Sequence, residues 1–288
     1  MSHATTAIAT ANLLAQDGAL VRKGAAPAAA LEVRALSKRF VTRRHDTLAL
    51  DNINLSVREG EFLCLVGPSG CGKSTLLNVI AGFEAPSEGE MLAGGRPVTG
   101  PGPDRVVVFQ EPALFPWLNV QANVEFGLRL AGVSCRERRD RAQYYLELVG
   151  LARFAKAFVH ELSGGMKQRV QLARSLAIDP HILLMDEPFA ALDAQTRDVL
   201  QDELQAIWAR TGKTVVFVTH NVPEAVLLAD RVVVMSPSPG RIKREIEVTL
   251  EHPRSPDSHA VVDLAAAIRE ELRNPGHEAE APGRRWSI

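Results

Sequence analysis

Gly67-Pro68-Ser69-Gly70-Cys71-Gly72-Lys73-Ser74-Thr75 matches G-x-x-x-x-G-K-[ST] at every fixed position. No other stretch limits so tightly what the chain can become. Glu61 to Val66 ahead of it reads as a short apolar strand, and Thr75 to Ala81 behind it as a helix stopped at Gly82. The loop therefore joins a strand to a helix, the context the motif requires. Gly67, Gly70 and Gly72 let the backbone bend until successive N–H groups face inward, and the helix start adds partial positive charge. A polyphosphate is then held largely by main chain from Gly67 through Thr75, so nucleotide binding is implied. Lys73 pairs with the β- and γ-phosphates, and Ser74 offers its hydroxyl to Mg²⁺, a hard cation that prefers oxygen ligands. Cys71 lies in this loop at a helix start, which favours its thiolate. Alkylation of Cys71 is expected to inhibit activity, with bound ATP slowing the reaction.

The chain has 288 residues, 46% hydrophobic and 23% charged, enough for a substantial core in one large domain or two small ones. Its formal net charge of -1 gives no general reason to expect nucleic acid. Cys64, Cys71 and Cys135 are odd in number and lack metal-ligand spacing, which suits a reducing compartment. No apolar run approaches the length of a bilayer span, so a membrane role is expected to come through a separate subunit. The first thirty residues are rich in Ala and Thr and lack a basic cluster ahead of an apolar core, so they do not read as a secretory signal. Residues 1–30 read as a flexible extension. A transit peptide is the alternative, weakened by the shortage of arginine.

Leu31 to Ala35 and Ile53 to Val57 alternate apolar and polar residues, as half-buried antiparallel strands do. Glu59-Gly60 turns into the strand before the loop, and Glu84 to Pro103 reads as turns around a short β segment. Val106 to Phe109 is a continuous apolar run, the pattern of a strand covered on both faces. From Gln110 to about Ala177 the pattern is helical, with a helix over Arg136 to Val149 stopped at Gly150. The charges from Arg136 to Arg141 are most simply a solvated helix face. Ile182 to Met185 and Thr214 to Thr219 are again buried-strand runs, and Ala194 to Arg210 between them carries Val199, Leu200, Leu204, Ile207 and Trp208 at helical spacing. Strands alternating with helices indicate a mainly parallel α/β core with an attached antiparallel piece. No internal repeat and no second phosphate loop is present.

Two further constellations sharpen the function. Ile182 to Met185 runs into Asp186-Glu187, so an apolar strand delivers adjacent carboxylates at its C-terminal end, beside the ligand crevice of an open α/β sheet. Asp186 is the Mg²⁺-side carboxylate, and Glu187 is placed to act as general base or to position the hydrolytic water. Upstream, Leu162-Ser163-Gly164-Gly165-Met166 opens a helix over Lys167 to Ala177, a second anion site built from backbone N–H groups and a hydroxyl. With these residues in place the sequence closely resembles the ATP-binding subunits of ABC transporters over about Leu31 to Pro253. Their signature motif reads LSGGQ, and two subunits pair head to tail around each ATP.

The resemblance implies a P-loop NTPase core with a mainly parallel sheet, an antiparallel β subdomain, and an inserted α-helical subdomain at about 111–177 carrying the signature. It assigns the ATP-binding domain to 31–253 and a C-terminal helix and tail to 254–288. By position, Phe40 matches the aromatic that stacks on adenine, Gln110 the glutamine that senses Mg²⁺ and the permease, Asp193 the D-loop aspartate, and His220 the switch histidine at the γ-phosphate. For Phe40 a plain core role stays open, and for His220 a capped strand end. Two positions depart from the pattern. Met166 replaces the signature glutamine but leaves Ser163, Gly164 and Gly165. Ala190-Ala191 stands where the D-loop usually has serine, which removes a cross-dimer hydroxyl.

Gly100 to Arg105, Val106 to Gln110 and Leu114 to Val120 together resemble the nitrate, sulfonate and taurine import branch. That resemblance implies a separate membrane permease whose coupling helix meets Phe115, Trp117 and Leu118, with internal packing as the other reading of these three. It also implies a second ATP-binding subunit, a periplasmic or lipid-anchored solute-binding protein acting indirectly, and work at the cytoplasmic face of the inner membrane. Nitrate, sulfonate, taurine and bicarbonate are undivided, because this chain touches only ATP and the permease. An ABC-type ATPase of a different transport system is the first alternative, and one of DNA repair or translation is the contrasting class, but the long coiled-coil insertion or second ATPase domain of the latter is not visible here. A nucleotide kinase would lack Ser163-Gly164-Gly165 and His220. Val261, Leu264, Ala265, Ile268 and Leu272 form an apolar stripe before Pro275-Gly276, most simply a helix packing on its own domain, with a regulatory or dimer contact as the other reading.

Overall fold

The computed structural model describes residues 29–42 and 46–273. Nearly all of the N-terminal extension, and the tail with Pro275-Gly276, lie outside the described residues. β1 (Ala29–Val41) and β2 (Asp46–Arg58) pair antiparallel, and with β4 (Glu88–Ala93) and β5 (Arg96–Pro97) they form a sheet of order β2-β1-β4-β5. Both long strands run well past the segments whose alternation is legible. Register irregularities fall between Val33 and Leu36 and around Lys38, and Ala35 and Asn52 sit at φ 45° and 49°. A bulge breaks the period of two, so a reading by alternation stops there although pairing continues.

The second sheet has the order β10-β9-β3-β8-β7-β6. It comprises β3 (Phe62–Val66), β6 (Arg105–Val108), β7 (Ile182–Asp186), β8 (Thr214–Thr219), β9 (Arg231–Met235) and β10 (Ile242–Glu247). All its pairings are parallel except β10 on β9. Alternate residues of the inner strands enter two different cores. Phe62, Cys64 and Val66 of β3 face the cluster that contains the later helices, whereas Leu63 and Leu65 face the cluster shared with the antiparallel sheet. β7, β8 and β9 divide in the same way. Each such fully buried side chain contributes roughly 1.5–3 kcal/mol, which is why these runs are apolar without interruption.

The run Val106 to Phe109 departs from its expectation of cover on both faces. β6 is an edge strand with β7 as its only sheet neighbour, and of its residues Val108 alone is buried. Phe109 leaves the strand and stacks on Phe83 with ring centroids 6.3 Å apart. α1 (Lys73–Ala81) follows β3 and lies in the core shared with the antiparallel sheet. α2 (Val120–Leu130), α3 (Cys135–Leu148) and α4 (Gly164–Ala177) pack on one another, each opened by a side-chain cap, from Asn119, Ser134 and Ser163. α5 (Ala194–Thr211), α6 (Val222–Leu228) and α7 (His259–Arg273) complete the described chain. Val261, Ala265 and Ile268 of α7 are buried in the main core, so the C-terminal stripe packs on its own domain. No described helix is long and apolar enough to cross a membrane.

Candidate active site

Three neighbouring parallel strands deliver the motifs. Val66 of β3 stands opposite Thr219 of β8, and Val218 of β8 opposite Asp186 of β7. Adjacent strands lie about 4.8 Å apart, so Gly67, His220 and Asp186-Glu187 leave the same edge of the sheet within a few strand widths. Val108 pairs with Met185, so the chain leaves β6 beside the strand that ends in the carboxylates, and Gln110, two residues on, is exposed to solvent.

The loop from Gly67 to Thr75 exposes Pro68, Ser69 and Gly70 at its crest, and Thr75 is half-buried at the start of α1. Gly72 caps α1 at φ 93°, and a Cβ there would come within 2.9 Å of the Ala49 carbonyl oxygen. The position therefore requires glycine. Lys73 is buried beneath the loop and donates from Nζ to the carbonyls of Gly67 (2.8 Å) and Pro68 (3.1 Å). Cys71 overturns its expectation. Its thiol is fully buried, 3.7 Å from Lys73 Nζ, so the backbone of Cys71 shapes the loop while its side chain fills the core beneath. Sequence reading missed Gly240, in the turn between β9 and β10. A Cβ added there would lie 2.1 Å from the Cys71 carbonyl oxygen. The only signal was the turn composition Ser236-Pro237-Ser238-Pro239-Gly240.

Ser74 Oγ donates to Asp186 Oδ1 at 3.1 Å. Burial holds the Asp186 carboxyl above its ordinary range, and the Ser74 hydroxyl opposes that rise. A hydroxyl and a carboxylate that already converge form a hard-oxygen pair suited to Mg²⁺. Glu187 takes φ 45°, its N–H donating to the Val218 carbonyl at 2.9 Å. A non-glycine residue in this region signals a backbone constrained for a purpose. The constraint turns its side chain toward β8, where Glu187 Oε2 meets His220 Nδ1 at 2.8 Å.

Phe40, Ser163 to Gly165 and Asp193 stand apart. None of them shares a hydrogen bond or ring contact with residues 67–75 among the described residues. Phe40 lies near the end of β1, 37% exposed, with Lys38 Nζ 4.9 Å from its ring centroid. Ser163 caps α4 by accepting from the Met166 N–H at 3.3 Å, so the helix begins at Gly164, ahead of the expected Lys167. The Met166 side chain packs against the main core, an apolar role that an amide would not fill. Asp193 caps α5 by accepting from the Thr196 N–H at 2.9 Å, and this bond holds its carboxyl below the usual range.

The helix α4 also carries residues that motif reading passed over. Gln168 donates to the carbonyls of Phe109 (3.4 Å) and Pro188. Gln171, its amide oriented by the hydrogen-bond network, accepts from the Phe109 N–H at 2.7 Å and donates to the Phe109 carbonyl at 3.3 Å. The helix behind the signature thus grips the residue before Gln110 and the residue after Glu187. Asn123 of α2, fully buried, does the same for the aromatic segment. It accepts from the Phe115 N–H (2.9 Å) and donates to the carbonyls of Phe115, Leu118 and Asn119 (3.1–3.2 Å). On that braced loop Trp117 is 70% exposed, while Phe115 and Leu118 are half-buried. Asn123 looked like an ordinary helix residue because its four partners are backbone atoms, which leave no trace in sequence.

Comparison with known proteins agrees with this geometry. The ABC transporter family matches residues 50–190. An ABC transporter ATP-binding protein of Methanocaldococcus jannaschii is 54% identical over 244 residues, 85% of this chain and 91% of that protein. A nitrate import ATP-binding protein of Synechocystis is 53% identical over 220 residues, 76% of this chain and 83% of that protein. A taurine import ATP-binding protein of Burkholderia pseudomallei is 54% identical over 203 residues, 70% of this chain and 78% of that one. Among solved structures, a dimeric ATP-binding cassette in a post-hydrolysis state, bound to ADP and Pi, matches with TM-score 0.68 and 35% identity, covering 77% of this chain and all (100%) of that one.

Proposed function

This chain belongs to the ATP-binding proteins of ABC transporters, ATPases by family, and on that premise we propose that it powers import of a small oxyanion or sulfonate. The observation that carries the reading is the pair of contacts on adjacent strand ends, Ser74 with Asp186 and Glu187 with His220. In this reading the loop from Gly67 to Thr75 cradles the phosphates. Lys73 leaves the carbonyls of Gly67 and Pro68 to reach the β- and γ-phosphates. Glu187 orients a water and takes its proton as the water oxygen attacks the γ-phosphorus. The bond from that phosphorus to the β,γ-bridging oxygen breaks, giving ADP and inorganic phosphate, while His220 donates to the γ-phosphate oxygens. Ser74 and Asp186, with Gln110, would hold Mg²⁺, which when bound neutralises phosphate charge.

The substrate class rests on the nitrate and taurine import relatives, and the permease contact on Trp117, held out on a loop that Asn123 fixes, with Phe115 and Leu118 beside it. The chain works at the cytoplasmic face of the membrane beside that permease, with a solute-binding protein outside. Phe40 stacks on adenine.

Each ATP needs Lys73 from one copy and Ser163 to Gly165 from another, with Asp193 at the same junction, because a single chain keeps these groups apart. A two-fold pair gives two equivalent sites. Mixing inactive Lys73→Ala and Ser163→Arg subunits tests this. One site of the mixed dimer keeps both groups intact, and partial recovery of hydrolysis is expected. ATP-dependent crosslinking between Ser69→Cys and Ser163→Cys of different copies is expected as well. Mixed dimers that form yet neither hydrolyse nor crosslink would overturn head-to-tail pairing.

A further inference from the structure

Glu224, on the first turn of α6, is a buried carboxylate that the proposed hydrolysis does not use. Its two oxygens have separate donors. Gln201 Nε2 of α5 donates to Oε1 at 2.9 Å, and the Thr219 hydroxyl donates to Oε2 at 2.5 Å. The hydroxyl oxygen in turn accepts from the Asn221 N–H at 2.9 Å, and the Asn221 side chain accepts from the Glu224 N–H at 3.4 Å. The ring of bonds thus closes through the residues on either side of His220. His220 itself projects outward, its side chain 62% exposed, toward Glu187.

Burial pushes the Glu224 carboxyl up, and the donors from Thr219 and Gln201 oppose that rise. It makes no ion pair with Lys or Arg among the described residues. Arg197 and His220 favour its charged form without pairing with it directly, yet a buried carboxylate remains costly, and a fold that needed only to fill this space would be served by an apolar side chain. What the surroundings demand is an acceptor with no donor of its own, since both neighbours donate into it. Glutamine would offer one acceptor and one NH₂, so it could not accept from both Thr219 and Gln201, and one of the two bonds would be lost or reversed. The connection reaches further through α5. One turn before Gln201, Arg197 donates to the carbonyls of Leu192 (2.9 Å) and Phe189 (3.4 Å), in the segment between Glu187 and Asp193.

We propose that Glu224 is a positioning residue for ATP hydrolysis, locking the Thr219-His220-Asn221 turn so that His220 meets Glu187, with Gln201 tying that lock to the helix that begins after Asp193. This rests on the reading of His220 and Glu187 given above. Steady-state ATPase and equilibrium nucleotide binding of the purified full chain test it. Glu224→Gln is expected to lower kcat about tenfold or more, the rate equivalent of one hydrogen bond to a charged group, with nucleotide affinity and melting temperature held. Thr219→Val should do the same and the double variant no worse, because both break one relay. Thr219→Ser, which keeps the hydroxyl, should restore wild-type kcat. Against His220→Ala the loss should vanish, since Glu224 then has no histidine to place. A wild-type kcat in Glu224→Gln while His220→Ala turns over measurably more slowly than wild type overturns the role of Glu224 alone. Full hydrolysis in His220→Ala overturns the reading of the histidine and the positioning role with it. Loss of melting temperature or affinity in parallel with kcat makes Glu224 a structural group and overturns the proposal.

Discussion

Gly240→Ala is the sharpest perturbation available to the phosphate loop, because it adds one methyl group outside the motif. The Cβ would fall 2.1 Å from the Cys71 carbonyl oxygen. A relaxed carbon–oxygen contact sits at about 3.3 Å or more, so the two must part by roughly 1 Å. The turn cannot easily supply that movement. The Gly240 N–H donates to the Ala49 carbonyl and its own carbonyl accepts from the Asp51 N–H, both at 2.9 Å, which pins it to β2. Its backbone is not in the left-handed region, so alanine brings no dihedral strain and the effect is steric. The Cys71 carbonyl must therefore move and carry the phosphate loop with it. Overpacking of this kind costs about 1–3 kcal/mol. If restoring the loop around nucleotide draws on that strain, affinity falls about 5- to 150-fold, at about 1.4 kcal/mol per tenfold. Titration with a fluorescent ATP analogue reads the affinity, and denaturant melting reports whether the fold persists. Gly100→Ala is the control, because its added Cβ meets nothing within 4 Å, and it should stay within about 0.5 kcal/mol of wild type. Affinity within twofold of wild type in a folded Gly240→Ala protein would refute the view that this turn buttresses the loop.

Two more outcomes follow from the site. Glu187→Gln should keep ATP binding and lower kcat by about 10²- to 10⁴-fold, the range for losing a general base, and near wild-type turnover would remove Glu187 from the chemistry. A maleimide should label the native chain once, at exposed Cys135, and leave ATPase activity unchanged, because Cys64 and Cys71 are buried. Modification of Cys71 at a rate comparable to Cys135, slowed by ATP, would mean that the thiol faces the nucleotide after all.

Chemistry that depends on residue type at fixed spacing was legible in the sequence. Lys73 and Ser74 stand at fixed positions of the loop motif, and Asp186 and Glu187 end an apolar strand, so the contacts that bring them together were foreshadowed, whereas His220 entered only through the family resemblance. The strands carrying them were legible because two buried faces demand unbroken apolar runs. What stayed hidden was held by backbone atoms or by context. Asn123, Gln168 and Gln171 bond largely to carbonyls and amides, so nothing in their partners' identities marks them. Cys71 was misread because a loop position does not say which way a side chain points. Gly67 leaves the room it occupies, since a Cβ there would lie 2.6 Å from the Cys71 Sγ. The edge position of β6 was equally invisible, since Val106 to Val108 is as apolar as an inner strand.

The division of alternate strand residues between two cores gives the chain an asymmetric tolerance for change in length. Inserting a residue in a surface turn such as Gly94-Gly95, where added Cβ atoms meet nothing within 4 Å, moves no side chain across the sheet. Inserting one at the head of β7, just before Ile182, exchanges the addresses of everything beyond it in the strand. Leu183 and Met185 would trade sides with Ile182 and Leu184, and Asp186 would turn from Ser74 to the opposite face. The pleat thus acts as a reading frame for the folded molecule. A drift of one place within β3, β7 or β8 garbles both cores and the site in a single step, whereas a change of length in the turns between them leaves both in register.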